Sequence, residues 1–273
     1  MPRLGRIGWL SYRDEPPRGL DPASYPQRGS SAESRGPAPA PWPTVLLVPT
    51  VLLVRHAQAS FGTGEYDALS PGGVVQADAL AAEIVRRELR LDRIVSGTLA
   101  RQRDTIAPLT ALSGAPMTID RRWNEYDADD ILDRYSDSSV RLGRRSTGAS
   151  RITTQEFQVV LEEALLSWIS STEPAQPAEP WPVFYERANT ALDDLVGELD
   201  RGQTALVSTS GGVLAAICLR LLGAPDHTFV RFNRVTVNAG ITKVINGSRG
   251  TTMVSFNEHG HLEKPGGSLV TYR

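Results

Sequence analysis

The chain has 273 residues, with 29 Lys and Arg against 31 Asp and Glu, a formal net charge of −2, and one cysteine. That length suits one sizeable α/β domain with a segment left over. The near balance of charge argues against a nucleic-acid-binding surface as the main business of the protein. The lone Cys218, in the apolar run VLAAICLRLL, excludes an intrachain disulfide and fits a reducing, cytoplasmic compartment.

In chain order, Met1 to Pro43 is rich in Pro, Arg, Gly and Ser without helical or strand periodicity, and residues 1–47 read as a disordered extension. No continuous apolar run there suits a signal peptide, and TVLLVPTVLLV is broken by Pro49 and too short to span a bilayer, so a soluble protein with no membrane partner is expected. VPTVLLVRH is also what a protein starting at a GTG-coded Val48 would look like, in which case the residues before it do not belong to the native chain. The competing reading is a real tail whose TVLLV adds an edge strand. Val51 to Ser60, VLLVRHAQAS, is a strand ending abruptly in Arg55 and His56. Leu69 to Leu89 has helical spacing, with Ser70 as N-cap and Pro71 in the first turn. A strand over Arg93–Ser96, a helix over Leu99–Leu112 and a short strand over Met117–Asp120 follow. The region of about 128–180 reads as a variable substrate-side insertion, with polar SDSSVRLGRRSTGAS, a helix over Thr154–Ile169 and a Pro-rich connection at Pro174–Pro182. A helix over Phe184–Leu199 and a buried strand over Thr204–Ser208 come next, and NAGITKVIN pairs with TTMVSFNEHGHL antiparallel across a turn at Gly247–Gly250. Alternating strands and helices predict an α/β fold, a three-layer α/β/α sandwich with a mostly parallel sheet and helices on both faces.

Three of these strands end in chemistry. Arg55 and His56 close the first, SGTLARQRDT offers Arg101 after the second, and ALVSTSGGV carries the third into Ser210 and a Gly211-Gly212 helix start. In open parallel sheets ligands sit outside the carboxyl ends of the strands, so these residues are expected at one crevice that binds and attacks a phosphate. Gln58 and Ser60 follow His56 closely enough to touch a substrate. No spacing of His, Cys or carboxylates reads as a metal site, and no cofactor is expected.

From about Pro49 nearly to the C-terminus the sequence resembles the histidine phosphatase superfamily, which includes the cofactor-dependent phosphoglycerate mutases. The family's Arg-His-Gly is met by Arg55, His56 and Ala57, with Ala for Gly. Its Ser-Pro-Leu-x-Arg-Ala-x-x-Thr is met by Ser96, Leu99, Arg101 and Thr105, with Thr98 where Pro is usual. Its acidic motif looks like Trp123 to Asp127, WNEYD, with Glu125 at the proton donor's place, although Asp127, Asp129 or Asp130 could also serve. Where Ser-His-Gly-Gly is usual, the chain has Thr209, Ser210, Gly211 and Gly212, so the second family histidine is missing. Only His56, His227, His259 and His261 exist, and the last two are distant alternatives that would have to fold back to replace it.

The resemblance implies covalent catalysis without metal. His56 attacks phosphorus, Arg55, Arg101, Ser210 and the helix start around Gly211 hold the oxygens, and Glu125 protonates the leaving alcohol and then activates water. Ser210 can donate a hydrogen bond but carries no charge. Charge-assisted bonds contribute about 1.5 to 3 kcal/mol against about 1 for neutral ones, so the exchange is expected to slow turnover by about tenfold to a hundredfold. The function expected is a phosphomonoester hydrolase acting on a phosphorylated small molecule or a phosphoprotein. A non-catalytic phosphate-ester binding or regulatory protein is the alternative, suggested by Ala57 and Ser210 departing together. A phosphoglycerate mutase fits less well, because the Trp-Asn that follows the first motif in those enzymes is absent.

Overall fold

A computed structural model describes residues 47–60, 67–136, 154–172, 178–264 and 267–272. The expected 1–47 extension lies outside them except for Leu47, which with Val48 forms no strand, and part of the 128–180 insertion also lies outside.

Strand β1 (Thr50–Arg55) buries Val51, Leu52, Leu53 and Val54 almost completely, as a central strand covered on both faces requires. Its neighbours are β4 (Thr204–Thr209), parallel, and β5 (Ile241–Gly247), antiparallel. With β2 (Arg93–Ser96), β3 (Met117–Ile119) and β6 (Gly250–Glu258) they form one six-stranded sheet in the order β3-β2-β4-β1-β5-β6. The four strands β3, β2, β4 and β1 run parallel, while β5 and β6 form an antiparallel margin joined at the expected Gly247–Gly250 turn. The register pairs Arg55 with Thr209 and Ser96 with Ser208, so β1, β4 and β2 end side by side.

Alternation along β1 feeds two cores. Leu52 and Val54 join Ile94 and Leu206 beneath α1 (Pro71–Arg86) and α2 (Ala100–Ser113). Val51 and Leu53 join Val95, Ala205 and Val207 on the opposite face, under α3 (Ala128–Tyr135), α4 (Thr154–Ser170), α5 (Trp181–Gly197), α6 (Gly211–Leu222) and α7 (Phe229–Val235). The described residues form the three-layer α/β sandwich the alternation of elements predicts. Tyr126, Trp168, Trp181, Phe184 and Phe229 pack ring to ring on that second face, with centroids 4.9–6.5 Å apart. No helix among the described residues is long and apolar enough to cross a membrane.

Ser70 caps α1 as expected, its hydroxyl accepting from Gly73 N at 3.0 Å. Helix α5 starts at Trp181 rather than Phe184, because Pro182 sits in the first turn, where a missing N–H costs nothing. Two short helices, α3 and α7, have no counterpart among the elements expected from the sequence. α3 begins where the Asp127 carboxylate accepts from Asp129 N and Asp130 N, both at 3.0 Å, an N-cap hidden in a uniformly acidic run.

Candidate active site

Arg55 is the last residue of β1 and His56 the first beyond it, and both are buried. His56 N donates to Thr209 O at 2.8 Å, binding the end of β1 to the end of β4. The backbone on the other side is held by a tight turn: Ala239 N donates to Arg55 O at 3.0 Å, and Asn238 Nδ2 donates to His56 O at 3.0 Å. Ala239 takes a left-handed φ of 59° there, an uncommon conformation for alanine that the flanking bonds enforce. The Arg55 guanidinium reaches the same turn through Thr236 O.

The His56 ring is fixed at both nitrogens. Nδ1 lies 2.8 Å from Ala57 O, and since a carbonyl only accepts, Nδ1 carries the proton. Nε2 then presents its lone pair, toward which Arg101 Nε donates at 3.2 Å. Ala57, where glycine is usual in the resembled pattern, is fully buried in the core beneath α1, and its N–H donates to Thr105 Oγ1 at 2.8 Å. The fold accommodates this methyl without a partner being lost.

Arg101 stands in the first turn of α2, and Asp67 holds it there. One oxygen of the Asp67 carboxylate accepts from Arg101 Nη1 at 2.8 Å and the other from Ala100 N at 2.7 Å, so Asp67 both orients the guanidinium and satisfies the start of the helix. Thr98, in the place where proline is usual, uses the N–H a proline lacks to donate to Asn124 Oδ1 at 2.7 Å, and its hydroxyl accepts from Asn124 Nδ2 at 2.7 Å.

Glu125 follows Asn124 at the same end of the sheet. Its Oε2 accepts from Gly212 N at 3.1 Å, so the α6 amide that the sequence offered to phosphate serves this carboxylate instead. A Cβ on Gly212 would fall 2.3 Å from Glu125 Oε1 and 2.6 Å from the Tyr126 ring, which is why the position is glycine. A Cβ on Gly211 would lie 2.8 Å from Asn233 Oδ1 and 3.6 Å from Arg55 Nε, placing Gly211 against the arginine. Tyr126 anchors the acidic segment in the aromatic cluster, and its OH accepts from Asn233 Nδ2 at 3.0 Å.

Ser210 is fully buried at the N-cap of α6, and its Oγ accepts from Gln102 Nε2 at 2.9 Å. The same Gln102 amide donates to Trp123 O at 2.9 Å, which Thr209 Oγ1 also reaches at 2.7 Å. A neutral amide-hydroxyl pair therefore stands at this position. His259 and His261 are engaged elsewhere, bonded to Asn257 O at 2.6 Å and Ala239 O at 3.1 Å, and His227 lies in the short 3-10 turn Asp226–Thr228. The structure thus does not fold either C-terminal histidine back to Ser210.

Gln58 and Ser60 tie the segment after His56 to the entry of α1. Gln58 Oε1 accepts from Ser70 Oγ at 2.8 Å, and Ser60 Oγ donates to Leu69 O at 3.2 Å. Asp127, Asp129 and Asp130 belong to the start of α3, two of their carboxylates being spent on helix capping and on Arg134. Asp67, Gln102 and Asn238 bond to residues of this candidate site and are missed by sequence reasoning, because their partners are far away in the chain and leave no local pattern.

A family model described as the histidine phosphatase superfamily, branch 1, matches residues 51–259. Among solved structures, the chain is similar to a mutant phosphoserine phosphatase from Entamoeba histolytica in complex with phosphoserine, at 19% identity and a TM-score of 0.57, covering 79% of this chain and 100% of that one. It is similar to a mycobacterial glucosyl-3-phosphoglycerate phosphatase at 20% identity and a TM-score of 0.54, covering 77% and 99%. It is also similar to YhfR of Bacillus stearothermophilus at 17% identity and a TM-score of 0.59, covering 79% and 100%. At these identities the likeness is one of fold. No curated protein sequence matches. With the family model spanning most of the chain, from β1 to the residue after β6, the protein belongs to the histidine phosphatase superfamily.

Proposed function

We propose that the protein is a phosphomonoester hydrolase that works through a phosphohistidine on His56, without a metal ion. The observation that carries this reading is the lock on the imidazole: with Nδ1–H donating to Ala57 O, the Nε2 lone pair faces Arg101. In the first step Nε2 forms a bond to phosphorus as the ester P–O bond breaks, and protonated Glu125 gives its proton to the departing oxygen. In the second, water attacks phosphorus and yields a proton to the Glu125 carboxylate. The P–N bond then breaks, returning neutral His56 and releasing inorganic phosphate. Arg55 and Arg101 neutralise the equatorial oxygens, so positioning and charge supply most of the acceleration.

Ser210 contributes a neutral hydroxyl where a charged imidazole would otherwise stand, which supports slower turnover rather than none. The substrate class we favour is a small phosphate ester. The similar structures include a phosphoserine complex and a glucosyl-3-phosphoglycerate phosphatase, and such esters need only a local cationic pocket.

Hydrolysis of an aryl phosphate by the wild type and by His56→Ala, at mildly acidic and neutral pH, tests the proposal. Turnover that disappears in the variant is expected. Equal inactivity of both proteins, with phosphate still bound by the wild type, would favour a binding protein, the reading to which the buried Ser210 lends itself.

A further inference from the structure

We propose that Arg187, on α5, is the positioning residue for the Glu125 carboxylate, and that Glu179 holds Arg187 in the conformation this requires. The inference rests on the phosphohistidine reading above and concerns the proton donor's support.

The segment from Arg122 to Asn124 is a 3-10 turn and its exit, so its carbonyls cannot all be satisfied by regular secondary structure and must find other partners. All three are taken. Arg187 Nη1 donates to Arg122 O at 2.7 Å and to Asn124 O at 3.0 Å, while the intervening Trp123 O accepts from Gln102 and Thr209. The Asn124 carbonyl belongs to the peptide that leads directly into Glu125. Fixing it fixes the direction in which the glutamate side chain leaves the backbone, and Gly212 N fixes the other end.

The guanidinium is itself pinned on its remaining sides. Nε and Nη2 donate to Glu179 Oε1 and Oε2 at 2.6 and 2.7 Å, a two-point fork, and Cζ lies 5.0 Å from the centroid of the buried Phe184 ring. Fork, ring face and two carbonyls are satisfied by one planar group. An ammonium could meet one of these demands but not all of them in one plane, so Arg187→Lys should loosen the turn while keeping the charge. Glu179 stands two residues before Trp181, the first residue of α5, so the clamp ties the entry of that helix to the proton donor.

A merely structural role and a positioning role differ in one readout. If Arg187 aims the general acid, its loss should harm substrates in proportion to how badly their leaving oxygen needs a proton. The comparison is kcat/KM for an alkyl phosphate and for 4-nitrophenyl phosphate, which reports only the first, leaving-group-dependent step. General acid catalysis contributes about 10²- to 10⁴-fold, so Arg187→Lys should lower the alkyl value by about 30-fold or more and the nitrophenyl value by less than about threefold. Glu179→Gln should shift the two values in the same unequal way but less, and Glu125→Gln should give the largest disparity. Equal losses on both esters in Arg187→Lys and Glu179→Gln would overturn the proposal while leaving the phosphohistidine reading intact. If Arg187→Lys does not fold, Glu179→Gln alone decides by the same criterion. A wild type with no His56-dependent hydrolysis of either ester would overturn the phosphohistidine reading and this proposal together.

Discussion

Arg101 Nε donates to His56 Nε2 across 3.2 Å, while Asp67 grips the same guanidinium at 2.8 Å from the other side. The arginine is therefore aimed by one carboxylate at the nitrogen we assign as nucleophile, and in the proposed mechanism its charge neutralises the phosphoryl oxygens. Arg101→Lys keeps a charge but loses the planar group that donates to His56 and Asp67 from two different nitrogens. The expected outcome is a rise of about tenfold to a hundredfold in the inhibition constant of inorganic phosphate, the worth of one or two charge-assisted bonds. Unchanged inhibition would show that Arg101 does not touch phosphate.

Gly212→Ala should damage chemistry and stability together. The new methyl would sit 2.3 Å from Glu125 Oε1 and 2.6 Å from the Tyr126 ring, so either the carboxylate leaves Gly212 N or the ring shifts within its aromatic cluster. Overpacking of this kind costs about 1 to 3 kcal/mol. A thermal melt should show the loss, and kcat should fall with it. A variant that melts and turns over like the wild type would mean Glu125 is not held as described.

Much of this architecture is legible in the sequence because its signals are local. The apolar run before Arg55 marks β1, the Ser70-Pro71 pair marks the start of α1, and the boundaries of β2 are read directly from RIVS between polar neighbours. The helices α3 and α7 escape because eight and seven residues give too few turns for a periodic pattern. The site divides in the same way. Arg55 and His56 are adjacent in sequence, and Arg101 follows a strand end. The Gln102-Ser210 pair spans 108 residues and the Arg187-Asn124 contact 63, and nothing at either end announces its partner. Asn124 is given no role in the sequence reading, yet its side chain pairs with the N–H and the hydroxyl of Thr98, neither of which a proline there would have.

Ser210→Ala isolates the neutral substitute. Gln102 would keep Trp123 O as a partner and lose only the Ser210 oxygen, a change of about 1 kcal/mol. If the hydroxyl also donates to phosphate in the transition state, kcat/KM should fall by up to about tenfold while the protein remains folded. A hundredfold loss would indicate that Ser210 does more than donate one neutral bond.

Acid should weaken the chain of ion pairs that ties the C-terminal end of α1 to the end of β6. Two hydrogen bonds from Arg86 at 2.7 and 2.8 Å, joined by one from Arg87 at 2.7 Å, hold the Glu83 carboxyl down from 4.5 to about 2 in spite of its burial. Arg87 carries the link onward to Glu258. The folded protein releases this proton more readily than the unfolded chain, so the stabilisation is fully present above about pH 4.5 and is lost as pH falls toward about 2. Denaturation followed between those values should show stability falling with acidity, and Glu83→Gln should flatten the slope. An equal slope in the variant would assign the acid sensitivity to other carboxylates.

The central claim is that phosphate passes through His56, and trapping the intermediate tests it most directly. Wild-type protein mixed with a reactive aryl phosphate, quenched in alkali and digested, should yield a phosphorylated peptide carrying the modification on His56, and Glu125→Gln should accumulate more of it if water activation is slowed. Hydrolysis that continues with no phosphate on His56, or that survives His56→Ala, would contradict the account.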